Sequence, residues 1–384
     1  MTDQAPSNDS LTAAAPGADP SLGVKYPDGR ALALSGGGYK AAAYHLGGLI
    51  RLNELGVLRG LKRVVSVSGG SITAAHLGLH WGELEWDGDV ARNFDSVVVE
   101  PLARFLTGVN IDVMAFLAGV VLPGRKGADG VERAYARHLF GKATLQDLPD
   151  EADGPRFVIV ATNYQLNSLW RFSRSYAADY RIGKIEAPRF PLARIVAASS
   201  GFPPFFCPIE LDLRDHVVEP WENADMHRPP FTERAVLADG GIYDNTGMEP
   251  IWNQYGKLLV SNAGNPFDER PDPPTNWLTM LRRVLAMIHR QAENNRVRWL
   301  FDRGRTRGQT LVYWPLRNDP AGYPRHGPLY LSPAELDAVM HQSVRLWSLK
   351  SADYRLLLRH GYLLADAAVR SYLIPAAPPP TKLP

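Results

Sequence analysis

The sequence predicts an α/β protein with a mostly parallel central sheet flanked by helices. Two observations carry that reading. The first is a run of elements, strand, Gly-rich loop, helix, strand, tight turn and helix, within residues 30–80; strands separated by helices make a parallel sheet by right-handed crossovers. The second is that the later strands, 156–162, 235–238 and 257–262, are short, apolar and rich in β-branched residues, as buried strands are.

The elements follow in order. Residues 30–35 (Arg-Ala-Leu-Ala-Leu-Ser) form a short buried strand that runs into Gly36-Gly37-Gly38. From Ala41 to Leu55, Ala42, His45, Leu46, Leu49, Leu52 and Leu55 recur at helical spacing, and Gly56 stands where a helix C-terminal glycine belongs. A β-branched strand at 63–67 ends in Ser68-Gly69-Gly70, and Ser71 to His80 continues as a helix. Residues 156–162 are a strand with a hairpin partner at 169–173, and 191–200 are a short helix closed by Gly201-Phe202-Pro203-Pro204. Ala235 to Ala238 is a strand that delivers Asp239, and 257–262 is a further buried strand. Residues 276–303 and 333–373 are mainly helical, with Trp277, Leu281, Leu285 and Ile288 as the inward face of the first of them. Residues 81–155 mix helices and loops interrupted by Gly and Pro.

The chain has 384 residues, enough for a large core, with 45% hydrophobic and 21% charged residues, as in a soluble globular protein. Forty-two basic residues against 40 acidic ones give a net charge of +2, a balance that argues against the dense basic stripe of a nucleic-acid binder. The one cysteine, Cys207, sits in an apolar stretch and reads as a small buried hydrophobe. Residues 1–27 lack the basic and apolar segments of a signal peptide and read as a disordered tail; Pro-rich 375–384 read as a second. No linker divides residues 28–374, which are expected to form one domain. The stretch Phe105 to Pro123 is interrupted by Asn110 and Asp112, short of the ~20 apolar residues of a spanning helix. A cytoplasmic protein is expected, with room for contact at a membrane periphery.

Three glycine-bearing segments carry chemistry. Gly36, Gly37 and Gly38 can aim backbone N–H groups at one point, which suits an oxyanion or a phosphate. The phosphate-loop spacing is absent, and Ala41 stands where a dinucleotide fingerprint ends in glycine or alanine. Lys40 adds positive potential or holds the loop. Ser68, between a strand and a helix with Gly69 and Gly70 after it, suits an exposed nucleophile on a strained turn, although Ser66 occupies the first small position where glycine is usual. A plain turn is the alternative for this motif taken alone. Asp239, at a strand end before Gly240 and Gly241, is either a base whose pKa burial raises or a solvated residue capping a turn. Asp244 reads as a turn residue.

Together these segments resemble the patatin-like phospholipases, over roughly residues 30–262. The segment Ala197-Ala198-Ser199-Ser200-Gly201-Phe202-Pro203 is also similar to one of that family. The resemblance implies a three-layer sandwich, a Ser68–Asp239 dyad, and an oxyanion hole from Gly36, Gly37, Gly38 and possible help from Gly69, with Lys40, Ser66, Gly70, Gly240 and Gly241 in support. It implies a lipid ester substrate, an acyl-Ser68 intermediate, and no metal or cofactor. A Ser-His-Asp triad is the nearest rival, since His289, His326, His341 and His360 follow Asp239 in the chain; each has the setting of a surface or packing residue. A silent lipid-binding module and a nucleotide-binding protein are rivals of other classes. Phe105–Leu122 and Pro203–Ile209 are candidates for an acyl channel or for core. Arg282, Arg283, Arg290, Arg296, Arg298, Arg303, Arg305 and Arg307 form a basic region that suits either lipid phosphates or a solvated helix face.

Overall fold

The computed structural model describes residues 24–111, 127–203, 206–221, 223–264, 266–267 and 269–384. The N-terminal tail up to residue 23 and the part of the apolar stretch beyond Ile111 therefore lie outside the described residues.

Strands β1 (Tyr26–Leu34), β2 (Leu61–Val67), β5 (Arg156–Asn163), β11 (Tyr255–Asn262) and β12 (Thr310–Pro315) form the parallel part of a ten-stranded sheet. Their spatial order is β12-β11-β1-β2-β5. Beyond β5 an antiparallel meander continues through β6 (Ser168–Phe172), β7 (Tyr176–Asp179) and β8 (Gly183–Glu186). A two-stranded ribbon, β3 (Trp86–Asp87) and β4 (Val90–Ala91), stands apart, within the region that the sequence left hardest to place.

One join matters for the site. β2 pairs with β5 up to Val67 opposite Val160. β10 (Arg234–Asp239) runs the other way along β5 and ends with Asp239 opposite Ala161, while β9 (Ile209–Asp212) pairs with its far edge. The ends of β2 and β10 thus meet at consecutive positions of β5.

Side chains alternate across the pleat. Leu32, Leu34 and Val64 enter one core with the helices α1 (Gly38–Glu54), α2 (Gly69–Leu79) and α9 (Ser351–Tyr372). Ala31, Ala33, Val65 and Val67 enter a second core on the opposite face with Met248, Ile251, Trp252 and Leu300. Leu300 belongs to α7 (Trp277–Thr306). Further helices are α3 (Glu100–Gly108), α4 (Gly127–Tyr135), α5 (Leu192–Ser199), the short α6 (Gly241–Asp244) and α8 (Pro333–Met340).

Several expectations shift. The first strand begins at Tyr26, whose N–H donates to Gln254 O, so the ordered chain starts before residue 28. Helix α1 begins at Gly38 rather than Ala41, because Gly37 and Gly38 take positive φ and turn the chain directly into the helix. Residues 333–373 are two helices, α8 and α9, broken at 341–350. The Pro-rich C-terminus is pinned where Pro378 O accepts from Arg51. Trp277, Leu281, Leu285 and Ile288 are exposed, not inward: α7 touches the body through Glu293, Leu300 and Gly304 instead. Cys207 is half-buried rather than buried.

Candidate active site

Ser68 sits between β2 and α2 at φ 51°, ψ −119°, a left-handed region that costs a non-glycine residue strain. The turn survives because its surroundings over-determine it. Ser68 N–H donates to Ser199 Oγ (2.9 Å), and Ser71 N–H donates to Ser68 O (2.8 Å). Ser71 Oγ also lies 2.9 Å from Ser199 Oγ and donates to Ser66 Oγ (3.1 Å). Ser66 is therefore no misfit at the elbow: its hydroxyl closes a buried Ser66–Ser71–Ser199 cluster under the turn. Gly69 and Gly70 have no room for more. A Cβ on Gly69 would lie 2.0 Å from Gly38 O, and one on Gly70 2.4 Å from Leu34 O.

Asp239 is held at the end of β10. Its N–H donates to Gly201 O (2.9 Å), its carbonyl accepts from Thr162 Oγ1 (2.7 Å), and Oδ1 accepts from Gly241 N–H (2.7 Å). Burial raises its pKa to about 6, against the opposing pull of the Gly241 amide and of the nearby Ser68 hydroxyl, both of which favour the charged form. Serine and aspartate are both nearly closed to solvent, 6% and 3% exposed, so the pair sits in a dry setting where a charge is costly.

The Gly-rich loop leaves β1 next to β2 and lies over the elbow. Gly36 is not available to an oxyanion, because its N–H donates to Asn245 O (3.0 Å). The amides of Gly37, Gly38 and Gly69 have no intramolecular acceptor among the described residues. Gly37 and Gly38 open the first turn of α1 and Gly69 opens α2, so two helix N-termini face the same region. Positive φ at Gly37 (140°) and Gly38 (61°) makes glycine necessary at both. Lys40 is buried close behind Gly37. Burial lowers its pKa to about 7; the Glu293 carboxylate opposes that fall and Arg290 adds to it.

No histidine contributes to the Asp239 environment, which consists of burial, the Gly241 amide and the Ser68 hydroxyl. His360 is buried and bonds Leu316 O, while His289, His326 and His341 are exposed. Asp244 accepts from Thr246 and from Glu249 N–H, as a turn residue does. Among the described residues no cluster of His, Cys, Asp or Glu could hold a metal ion. Gly240, like Gly241, is confined: a Cβ there would lie 2.6 Å from Val160 O.

Sequence reasoning passed over Asn245. Its Oδ1 lies where a Cβ on either Gly36 or Gly241 would collide, at 2.4 and 2.6 Å. It thus locks the oxyanion loop to the aspartate loop. The only signal for it was its place after the Asp-Gly-Gly segment. His45 was read as one apolar helix position. It bonds Ser261 Oγ (2.8 Å) and Ser35 O (2.9 Å) beneath the loop, and burial lowers its pKa to about 3, so it is neutral. Of the apolar candidates, Phe105 and Ile111 are core, and Phe202 is exposed beside a half-buried Phe206.

A strained serine beside a buried carboxylate, with amides at two helix N-termini that meet no acceptor among the described residues, is an arrangement able to carry out acyl transfer. The family model for patatin-like phospholipases matches residues 32–252, and the chain belongs to that family. Human GIVD cytosolic phospholipase A2 is similar in fold, with TM-score 0.54 and 13% identity over 94% of this chain and 61% of that one. The same human enzyme in complex with methyl gamma-linolenyl fluorophosphonate and terbium chloride gives TM-score 0.51 and 14% identity over 88% and 57%. VipD from Legionella pneumophila gives TM-score 0.38 and 16% identity over 89% and 66%. This chain thus spans about three-fifths of the length of the human enzyme. No curated protein sequence matches it.

Proposed function

We propose that this chain is a serine acyl hydrolase that cleaves carboxylic esters of lipids, phospholipids among them, through a Ser68–Asp239 dyad. The observation that carries the proposal is the placing of Ser68, on its strained turn, beside a carboxylate whose pKa burial lifts to about 6. A base with that pKa is ionised at pH 7 and still able to take a proton.

In this reading Asp239 removes the Ser68 proton as Oγ attacks the ester carbonyl. The carbonyl oxygen becomes an oxyanion held by the amides of Gly37, Gly38 and Gly69. The C–O bond to the alcohol breaks, the alcohol takes the proton from Asp239, and an acyl-Ser68 ester remains. Water, deprotonated by Asp239, then releases the fatty acid and restores Ser68. Family membership supports a lipid substrate, as does the likeness to a human phospholipase captured with a linolenyl fluorophosphonate.

Two variants test the dyad. Ser68→Ala and Asp239→Asn should each lower ester turnover by on the order of 10⁴–10⁶ while preserving the circular dichroism spectrum. A fluorophosphonate probe should label Ser68 in the wild type alone. Lipid binding without any labelling would favour a silent lipid-binding module instead. Assay of a lipid panel with wild type and Ser68→Ala side by side then reads head-group and acyl preference.

A further inference from the structure

An ordinary surface helix turns its apolar side to the core and its polar side to water. The first half of helix α7 leaves its apolar side uncovered. Trp277, Leu278, Leu281, Val284, Leu285 and Ile288 are 44–73% exposed. At ~100° per residue, these six fall within an arc of about 120°, and the exposed Met280 and Met287 widen it to about 180°. The residues through which α7 is buried, Glu293, Leu300 and Gly304, centre about 150° around the axis from the middle of that arc. The helix thus rests on the protein through its second half; over residues 277–290 all but Arg283 and Arg290 are exposed, and the apolar side is left uncovered.

Charge identifies the occupant. Arg282 and Arg283 fall just beyond the two edges of the arc, and no Asp or Glu lies between Asp272 and Glu293. Arg282 is exposed, and Arg283 stacks over Phe267 at 4.9 Å. A cation at each edge of an apolar arc suits a helix lying in a lipid interface, with arginines reaching anionic headgroups. A second copy of this helix would bring Arg282 and Arg283 against their own counterparts with no acid in the segment to meet them. No helix among the described residues is long and apolar enough to cross a membrane, so α7 would lie on one rather than span it.

The helix is tied to the candidate site through its buried side. Just past Ile288, Glu293 accepts from Asn262 Nδ2 (2.8 Å) and pairs with Arg290 (3.2 Å). Asn262 ends β11, and the next residue, Ala263, donates its N–H to Ser35 Oγ (2.7 Å) at the start of the Gly-rich loop. We propose that the first half of α7 is an interfacial helix that docks this chain on anionic lipid surfaces. The choice of partner rests on the lipid-hydrolase reading; the outward apolar face does not.

The test separates the two. In a Ser68→Ala background, which leaves vesicles intact, co-sedimentation is measured with 3:1 phosphatidylcholine–phosphatidylglycerol vesicles and with phosphatidylcholine alone. Leu281→Glu/Ile288→Glu should lower the partition coefficient at least about tenfold, and Arg282→Glu about fivefold on the anionic vesicles only. With Ser68 present, the same substitutions should leave hydrolysis of soluble p-nitrophenyl butyrate within about twofold of wild type. That result also shows that the fold is intact. Vesicle binding that is absent in the parent, or unchanged by Leu281→Glu/Ile288→Glu, overturns the proposal. So does a parent dimer that these substitutions dissociate in sedimentation velocity, which would make the face a self-interface. Vesicle binding lost as expected, with no ester hydrolysis by wild type, would keep the docking helix and reject the hydrolase.

Discussion

Asp239 carries a cost that catalysis can use. Its ordinary pKa of 3.8 rises to about 6 on burial, so the folded protein holds a proton more tightly than the unfolded chain. Stability from this group is full below pH ~4, falls as pH rises through about 6, and is gone above that. Asp239→Asn removes the charge and should stabilise the protein at pH 8 by up to about 3 kcal/mol, with the gain vanishing below pH ~4; denaturant melts at both pH values check it. The same pKa predicts the acid limb of kcat/KM. In the proposed mechanism only ionised Asp239 accepts the Ser68 proton, so activity should rise with pH and level off above a midpoint near 6. A profile flat from pH 5 to 8 would contradict that role. At this scale much was readable in advance. Ser68 and Asp239 stand out through their neighbouring glycines. Asn245 does not, because an asparagine after a turn has no distinctive spacing until its side chain is seen wedged between Gly36 and Gly241.

At the scale of elements, glycines decide how closely helices and loops approach. Gly47 of α1 and Gly361 of α9 face each other's partner backbone: a Cβ on Gly47 would lie 1.9 Å from Leu358 O, and one on Gly361 1.9 Å from Tyr44 O. Gly47→Ala should therefore lower stability by roughly 1–3 kcal/mol or more through forced separation of the two helices. Gly322→Ala, where a Cβ meets nothing within 4 Å, should change it by less than about 0.5 kcal/mol. Thermal melts of the two variants side by side test the contrast. The strands that bear the motifs were legible because buried strands are short apolar runs, and helix α1 because its apolar residues recur at helical spacing; β7, β8, β9 and β12 were not read. The outward face of α7 was not. Trp277, Leu281, Leu285 and Ile288 have the period of a core-facing stripe, and periodicity states that a face is apolar without saying what lies against it.

Across the whole molecule, the C-terminal helix is tied to the motif-bearing half by charge as well as packing. Asp366 on α9 accepts from Arg51 (2.8 Å) on α1 and from Arg370 (2.8 Å), and all three are buried. Asp366→Ala removes the buried carboxylate shared by Arg370 and Arg51, of which Arg51 keeps a second partner in Glu54 (2.9 Å), and should cost about 3–5 kcal/mol, read by urea unfolding. Loss on that scale would place α9 in the same cooperative unit as the site. By itself the sequence determined the class of fold, the strands that bear the motifs, and which serine, aspartate and glycine loop are the candidates, because those features are local: apolar runs, helical periods, and glycines where the backbone must turn. Only the tertiary structure decided that β2 and β10 end side by side on β5, that Gly36 spends its amide on Asn245, and which way α7 faces. Those depend on pairings between residues far apart in the chain, and local pattern carries no information about the partner on the other side of a contact.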